Sequence, residues 1–205
     1  MKKIILGLAL LGSLAFSETE FQPLRKQFEQ KCEAGNLEAC GYAGTLYKHP
    51  TVFGANASDK DYKKVLYYYK KACNGNDYIA CSDLGIMYEN GEGVKKDYKK
   101  AIELFDKACN SGIEYGCNNL GKMYAYGKGV KIDITRAMGY FRRACDASSW
   151  MACGNFASLL EDGSDRARAV QYYQKACELG KKESPSLNNE KNFLQKFCDK
   201  YDILK

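Results

Sequence analysis

A block of sequence that recurs after thirty-six residues, each time with two cysteines eight residues apart, limits what this chain can fold into. From Cys73 and again from Cys109, the same residues follow at the same spacing. A fixed period of this length is typical of a solenoid, in which each unit buries its apolar face against its neighbours. The matching residues are Cys81, Leu84, Gly85, Met87, Tyr88, Gly91, Gly93, Asp97, Ala101, Phe105 and Ala108 in the first block, and Cys117, Leu120, Gly121, Met123, Tyr124, Gly127, Gly129, Asp133, Ala137, Phe141 and Ala144 in the second.

Each block predicts two amphipathic helices joined by a turn. Leu84, Met87 and Tyr88 recur at helical spacing on the first helix, and an Ala-Phe-Ala series does so on the second. Glycines after the first helix supply the positive φ angles that end it, and an aspartate stands at the N-cap of the second. The unit is therefore an antiparallel helix pair. The residues in these roles are Ala101, Phe105 and Ala108; Gly91 and Gly93; and Asp97, with Asp61, Asp133 and Asp165 as its equivalents.

Two edited copies flank the central pair. The fourth copy is shortened at 162–165, and the first is lengthened at 48–59, which contains His49 and Pro50 and predicts a longer loop. We expect one all-α, right-handed solenoid domain over 18–205, with capping helices at Phe21 to Lys31 and Glu190 to Tyr201. The predicted parts are a cap at 18–31, repeats at 32–72, 73–108, 109–144 and 145–176, and a second cap at 177–205.

The ten cysteines predict five disulfides. Two residues eight apart on one helix would have Cα atoms about 12 Å apart, too far for a bridge, so the chain must turn between them. Zinc is the alternative, but structural zinc sites use closer cysteines with histidine help, and His49 is the only histidine. We therefore expect no metal and no cofactor. The expected bridges are Cys32–Cys40, Cys73–Cys81, Cys109–Cys117, Cys145–Cys153 and Cys177–Cys198, and Trp150 is expected either to cover the fourth or to contact a partner.

The first residues predict export. Lys2 and Lys3 precede an apolar run that ends near Ser17, the pattern of a cleavable signal peptide over 1–17. Neither a lipid anchor nor a membrane span is expected, so the mature chain should reside in the periplasm or outside the cell. The formal net charge of +6 falls to +4 without these two lysines, and interspersed charges give little support for nucleic-acid binding.

The Leu-Gly-x-Met-Tyr and Gly-x-Gly-Val series, with the paired cysteines, resembles the Sel-like repeat family, a relative of the tetratricopeptide repeats, and within it the Helicobacter cysteine-rich proteins. The resemblance covers nearly all of the chain after 1–17, except that Gly-x-Gly-Val is missing from the fourth unit. It implies the five bridges above. It also implies two functions: penicillin binding or β-lactam hydrolysis, or an exported role in host interaction.

We favour binding over catalysis. Ser-x-x-Lys, which a serine β-lactamase needs, is absent, and one histidine cannot build a zinc lactamase. The sequence predicts no catalytic residue, and a weak β-lactam hydrolase is the alternative. The first helix of each pair has a face that does not pack in the core, and these faces together predict a concave groove. We expect the groove to bind a protein, a peptide or a peptidoglycan-derived ligand, and the protein to be a monomer. The candidate groove residues are Asp83, Ile86, Asn90, Asn119, Lys122, Tyr126, Asn155 and Ser158, of which Asn119 and Asn155 are expected to grip a peptide backbone.

Overall fold

A computed structural model describes residues 18–50, 60–183 and 188–205, and the expected signal peptide lies outside them. Within these ranges the regular structure is α-helical with no strand, so the predicted all-α class is confirmed. The helices are α1 (Glu18–Glu33), α2 (Leu37–Lys48), α3 (Tyr62–Asn74), α4 (Tyr78–Asn90), α5 (Tyr98–Asn110), α6 (Glu114–Tyr126), α7 (Ile134–Asp146), α8 (Trp150–Asp162), α9 (Arg166–Glu183) and α10 (Asn188–Leu204).

The chain forms two compact units that meet in sequence between Lys95 and Lys96. In the first unit, α1 packs on α2, α2 on α3 and α3 on α4. In the second, each helix from α5 to α10 likewise packs on the next. Each unit therefore consists of helices that pack in sequence order, as expected for repeated helix pairs.

The helix boundaries follow the predicted cap residues. The Asp97 carboxylate accepts a hydrogen bond from Lys100 N at 3.1 Å, and Asp133 accepts one from Arg136 N at 2.9 Å. Gly91 ends α4 with a φ of 78°, a left-handed conformation that glycine adopts without strain. In the shortened connector, Gly163 has a φ of −80°, and Ser164 takes the positive φ instead, at 67°.

The core of the second unit consists of aromatic rings and small residues. Phe105 and Phe141 are buried, and each has alanines one turn before and after it on its own helix. Gly121 lies so close to the Phe141 ring that a Cβ at this position would be 2.5 Å from two ring carbons. The small residues predicted from the repeat therefore permit close helix packing.

Five disulfides join successive helices. Their Cα separations run from 4.5 to 5.0 Å, and the described residues include no free cysteine. In each of the four eight-residue loops, the third residue after the first cysteine has a positive φ, which reverses the chain between the two cysteines. The structure forms Cys32–Cys40, Cys73–Cys81, Cys109–Cys117, Cys145–Cys153 and Cys177–Cys198.

Terminal helices cover both expected ends. Phe21 of α1 is fully buried and packs with Leu46 of α2. At the other end, Leu194 and Phe197 of α10 are buried. Lys200 of the same helix forms an ion pair with Glu161 of α8 at 2.7 Å. Both capping helices extend beyond their predicted limits of Phe21 to Lys31 and Glu190 to Tyr201.

Candidate ligand-binding surface

One side of α6 and α8 forms an open depression in the second unit. Its volume is about 420 Å³. We call this depression the carboxamide pocket, because two asparagines lie side by side in it. Its lining residues are Asn118, Lys122, Tyr126, Trp150, Met151, Asn155 and Phe193.

The two asparagines hold each other in place. Asn155 Nδ2 of α8 donates a hydrogen bond to Asn118 Oδ1 of α6 at 3.0 Å. An amide side chain has one donor group and one acceptor group. The pair therefore keeps Asn118 Nδ2 and Asn155 Oδ1 for a ligand, which is the donor and acceptor set that an extended peptide backbone requires.

Aromatic residues form the wall beside this pair. Trp150 begins α8 and is buried, with its ring 6.2 Å from that of Phe197 and 6.5 Å from that of Phe193. Phe193 of α10 is 41% exposed, and Tyr126 of α6 is 68% exposed. The pocket thus combines a rigid ring with two exposed rings that a ligand can cover.

The C-terminal helix is held in place by a buried tyrosine and an ion pair. Glu161 accepts hydrogen bonds from Lys200 Nζ at 2.7 Å and from Tyr173 OH at 2.9 Å. The ammonium of Lys200 lowers the pKa of Glu161 below its usual range, and the Tyr173 hydroxyl adds to this effect. Burial raises the pKa of Tyr173 well above that of a free phenol. These contacts position Phe193 at the pocket, because they fix α10 against α8 and α9.

The structure brings together only part of the predicted groove. Lys122, Tyr126 and Asn155 line the pocket. Asn118 and Asn119 are both buried, with 6% and 8% of their surfaces exposed, but it is Asn118, and not the predicted Asn119, that lines the pocket. Ser158 lies near Tyr173 and does not line the pocket.

The groove residues predicted in the first unit lie elsewhere. Asp83 forms an ion pair with the buried Lys48 at 3.1 Å, so its carboxylate already has a partner. Asn90 is exposed and donates a hydrogen bond to Glu92 at 3.0 Å, whereas Ile86 is half-buried. Asp83, Ile86 and Asn90 belong to the first unit and do not line the carboxamide pocket.

Three pocket residues, Asn118, Met151 and Phe193, were not predicted, and Trp150 was expected to cover the fourth bridge or to contact a partner rather than to line the groove. The spacing rule counted from the second cysteine selected the neighbour of Asn118, and no local pattern indicates that Phe193 of a terminal helix reaches Trp150. Its position in the final amphipathic stretch is the one available signal. Long-range packing of α10 decides its role.

The Ser82 hydroxyl is buried and makes no hydrogen bond, and its burial keeps it from any external substrate. Among residues 18–50, 60–183 and 188–205, no group of three or more His, Cys, Asp or Glu side chains could hold a metal. None of the described helices combines the length and apolar character needed to span a bilayer.

The fold and the pocket define a class of protein: a disulfide-linked array of paired helices with a small ligand-sized surface. Residues 53–77, 79–113, 114–149 and 155–181 match the Sel1 repeat, and together they make up more than half of the chain. The chain belongs to the Sel1 repeat family. No curated protein matches it in sequence.

Two solved structures show the same fold, and a third is similar over a shorter part of this chain. A Sel1 repeat protein from Oxalobacter formigenes is 24% identical, with a TM-score of 0.68 over 88% of this chain and 78% of that one. The protective antigen c5321 of uropathogenic Escherichia coli, which displays an SLR fold, is 20% identical, with a TM-score of 0.67 over 87% of this chain and 40% of that one. Helicobacter pylori cysteine-rich protein B is 32% identical over 63% of this chain and 95% of its own, with a TM-score of 0.49.

Proposed function

We propose that this protein is an exported scaffold that binds a peptide or protein segment in the carboxamide pocket. The observation that carries the proposal is the Asn118–Asn155 pair, whose remaining donor and acceptor lie beside an aromatic wall. An extended backbone offers one carbonyl and one N–H for such a pair. A hydrophobic side chain of the ligand would cover Phe193 and Tyr126, and Lys122 would favour an acidic group nearby.

Export is supported by the sulfur chemistry. Disulfides persist in oxidising compartments such as the periplasm or the extracellular space. Five bridges in one chain suit such a compartment. We propose that the segment 1–17 directs this export and is removed after Ser17, leaving a single mature domain over 18–205. Mass determination of the protein recovered from a periplasmic extract and from the medium tests both the cleavage and the destination.

A peptide-display selection on the oxidised mature protein tests ligand binding. For a selected peptide, we expect Asn118→Ala and Asn155→Ala each to weaken binding by about tenfold, because each removes a desolvated hydrogen bond of roughly 1.4 kcal/mol. Asn74→Ala changes an exposed asparagine in the first unit and serves as the matched control. Equal affinity of all three variants for the peptide would refute the proposed pocket.

The alternative is that the protein binds or hydrolyses a β-lactam. The resemblance to cysteine-rich repeat proteins suggests this function. Nitrocefin turnover by the oxidised protein separates the two proposals. Robust turnover that a single surface substitution abolishes would favour the hydrolase, whereas peptide binding without turnover would favour the scaffold.

A further inference from the structure

A second depression is lined by residues of α7, α8 and α9. Asn155 lines the carboxamide pocket, whereas the next residue, Phe156, lines this depression. Its volume is about 320 Å³, and it shares Met138 and Arg168 with an adjoining depression of about 540 Å³. We call the two together the arginine groove. All of its lining residues belong to the second unit.

The groove exists where one repeat lacks a side chain. Gly139 lies in the middle of α7, six residues before Cys145. The equivalent positions before Cys73, Cys109 and Cys177 hold large side chains, which are Tyr67, Glu103 and Gln171. A glycine inside a helix costs about 1 kcal/mol relative to alanine. A Cβ on Gly139 would meet no atom within 4 Å, so packing within the molecule does not require this glycine.

Two guanidinium groups lie at this opening. Six arginines occur in the chain, and five of them fall between 136 and 168. Arg142 is exposed and pairs with no carboxylate among the described residues. Arg168 uses Nε to bind Asp165 Oδ2 at 2.7 Å, which leaves its two terminal nitrogens for a ligand. Guanidinium groups favour carboxylates, which they bind through two parallel hydrogen bonds.

The floor of the groove is apolar. The ring of Phe156 meets that of Tyr172 edge to face, with centroids 4.6 Å apart. Met138 and Leu159 continue this surface into the adjoining depression. Asp162 and Asp165 line the adjoining depression, with Asp165 beside Arg168, and they would repel a second acidic group. A fitting ligand therefore presents one carboxylate at the arginines and apolar side chains beyond it.

We propose that the arginine groove binds a segment of a partner protein in which a glutamate or aspartate is followed by apolar side chains. Charge complementarity at Arg142 and Arg168, the apolar floor and the open face at Gly139 each match one part of such a segment. This site is separate from the carboxamide pocket, since the two share no lining residue. Its failure would leave the proposal for that pocket unaffected.

Fluorescence anisotropy with two labelled peptides tests the proposal. One peptide carries a single glutamate followed by phenylalanine and leucine, and the other has glutamine in place of glutamate. We expect the glutamate peptide to bind at least about tenfold more tightly, as expected for one charge-assisted hydrogen-bonded pair. Arg142→Gln should remove that difference. Equal binding of the two peptides to the unchanged protein would overturn the proposal.

Gly139→Gln gives α7 the side chain that α9 has at the equivalent position, Gln171. This variant distinguishes a loss of binding from a loss of stability. The variant should unfold at the same or a higher denaturant concentration, because the position is open and glutamine favours helix. Binding of the glutamate peptide should nevertheless fall at least tenfold. Binding equal to that of the unchanged protein would show that the groove is not the site.

Two further variants identify the source of any loss. Arg166→Gln removes the same charge from an exposed position that does not line the groove, and Asn118→Ala alters the carboxamide pocket. Both should bind the glutamate peptide as the unchanged protein does. If Arg166→Gln weakens binding as much as Arg142→Gln, the attraction is a general effect of positive charge and the proposal is wrong. If Asn118→Ala abolishes it, the peptide occupies the other pocket and the proposal is again wrong.

Discussion

Gly121 of α6 lies directly against the ring of Phe141 of α7, where a Cβ would come within 2.5 Å of Cδ1 and Cε1. Gly44 of α2 has the same relationship to Tyr69 of α3 in the first unit. In both units a glycine sets how closely the first helix of a pair approaches the ring of the second. Each ring is buried, so neither can move away without opening the core.

Gly121→Ala should therefore destabilise the protein by about 1–3 kcal/mol, because the added methyl forces the buried ring or the helix to shift. Urea unfolding of the oxidised protein measures this change. Gly139→Ala is the matched control: the same substitution enters open space on the neighbouring helix and should stabilise by about 1 kcal/mol. Similar effects at both positions would show that packing against Phe141 is not the cause.

In the eight-residue disulfide loops, the residue with a positive φ angle is glycine in one loop and serine in another. Gly112 has a φ of 88°, and Ser148 at the equivalent position has a φ of 72°. A left-handed conformation costs a residue with a Cβ about 1 kcal/mol, part of which the greater entropy loss of glycine offsets. Ser148→Gly should therefore raise the free energy of unfolding by up to about 1 kcal/mol.

Gly112→Ser is the reverse experiment. A Cβ at Gly112 would have no atom within 4 Å, so any loss of stability comes from the backbone alone. The free energy of unfolding should fall by up to about 1 kcal/mol. Thermal or urea unfolding measures the change in the free energy of unfolding for Ser148→Gly and for Gly112→Ser. Changes of the same sign in the two variants would show that the left-handed backbone conformation is not the cause.

The N-cap of α4 predicts a pH dependence. Asp77 accepts a hydrogen bond from Ala80 N at 3.0 Å, yet burial raises the pKa of its carboxyl above the usual value of 3.8. A raised pKa means that the folded state favours the protonated form. The stability from this group is fully present below about pH 3.8 and is lost as pH rises through the higher folded-state value.

Asp77→Asn should keep the cap without burying a charge, because asparagine and aspartate cap helices equally well. We expect the variant to be at least as stable as the unchanged protein at pH 7, and any advantage to shrink at acid pH. Urea unfolding across this pH range measures the difference. Asp77→Ala, which removes the cap, should lose about 1 kcal/mol. An advantage of the asparagine variant that grew at acid pH would contradict a raised pKa of Asp77 in the folded protein.

The Cys177–Cys198 bridge fastens the helix that carries the aromatic wall. Replacing both cysteines by alanine should cost about 3 kcal/mol from the entropy of the opened loop. Trp150 is the only tryptophan and packs on Phe197 of this helix. Its fluorescence should therefore shift to longer wavelength at denaturant concentrations where the rest of the protein is still folded.

The double alanine variant at Cys32 and Cys40 is the control for this experiment. It opens a loop in the first unit and should leave the tryptophan emission unchanged until global unfolding. An early shift in both variants, or in neither, would mean that the terminal bridge does not hold α10 in place.

The repeat period was enough to predict the helix pairs, because the signals involved are local. Asp97 and Asp133 cap helices through the backbone three residues later, and Gly91 and Gly127 end helices through their own φ angles. Such interactions depend on neighbours in sequence. The cysteine spacing likewise required a turn within eight residues, and the structure has one in every such loop.

The ligand surfaces depended on the tertiary structure. Counting from the cysteines selected Asn119, but the packing of α6 against its neighbours places Asn118 beside Asn155 and leaves Asn119 out of the pocket lining. Phe193 reaches Trp150 only through the packing of α10. The opening at Gly139 exists because α7 and α9 hold nothing in that space. Periodicity in sequence determined which residues form helices and where they end, whereas the contacts between helices distant in sequence decided which side chains share a surface.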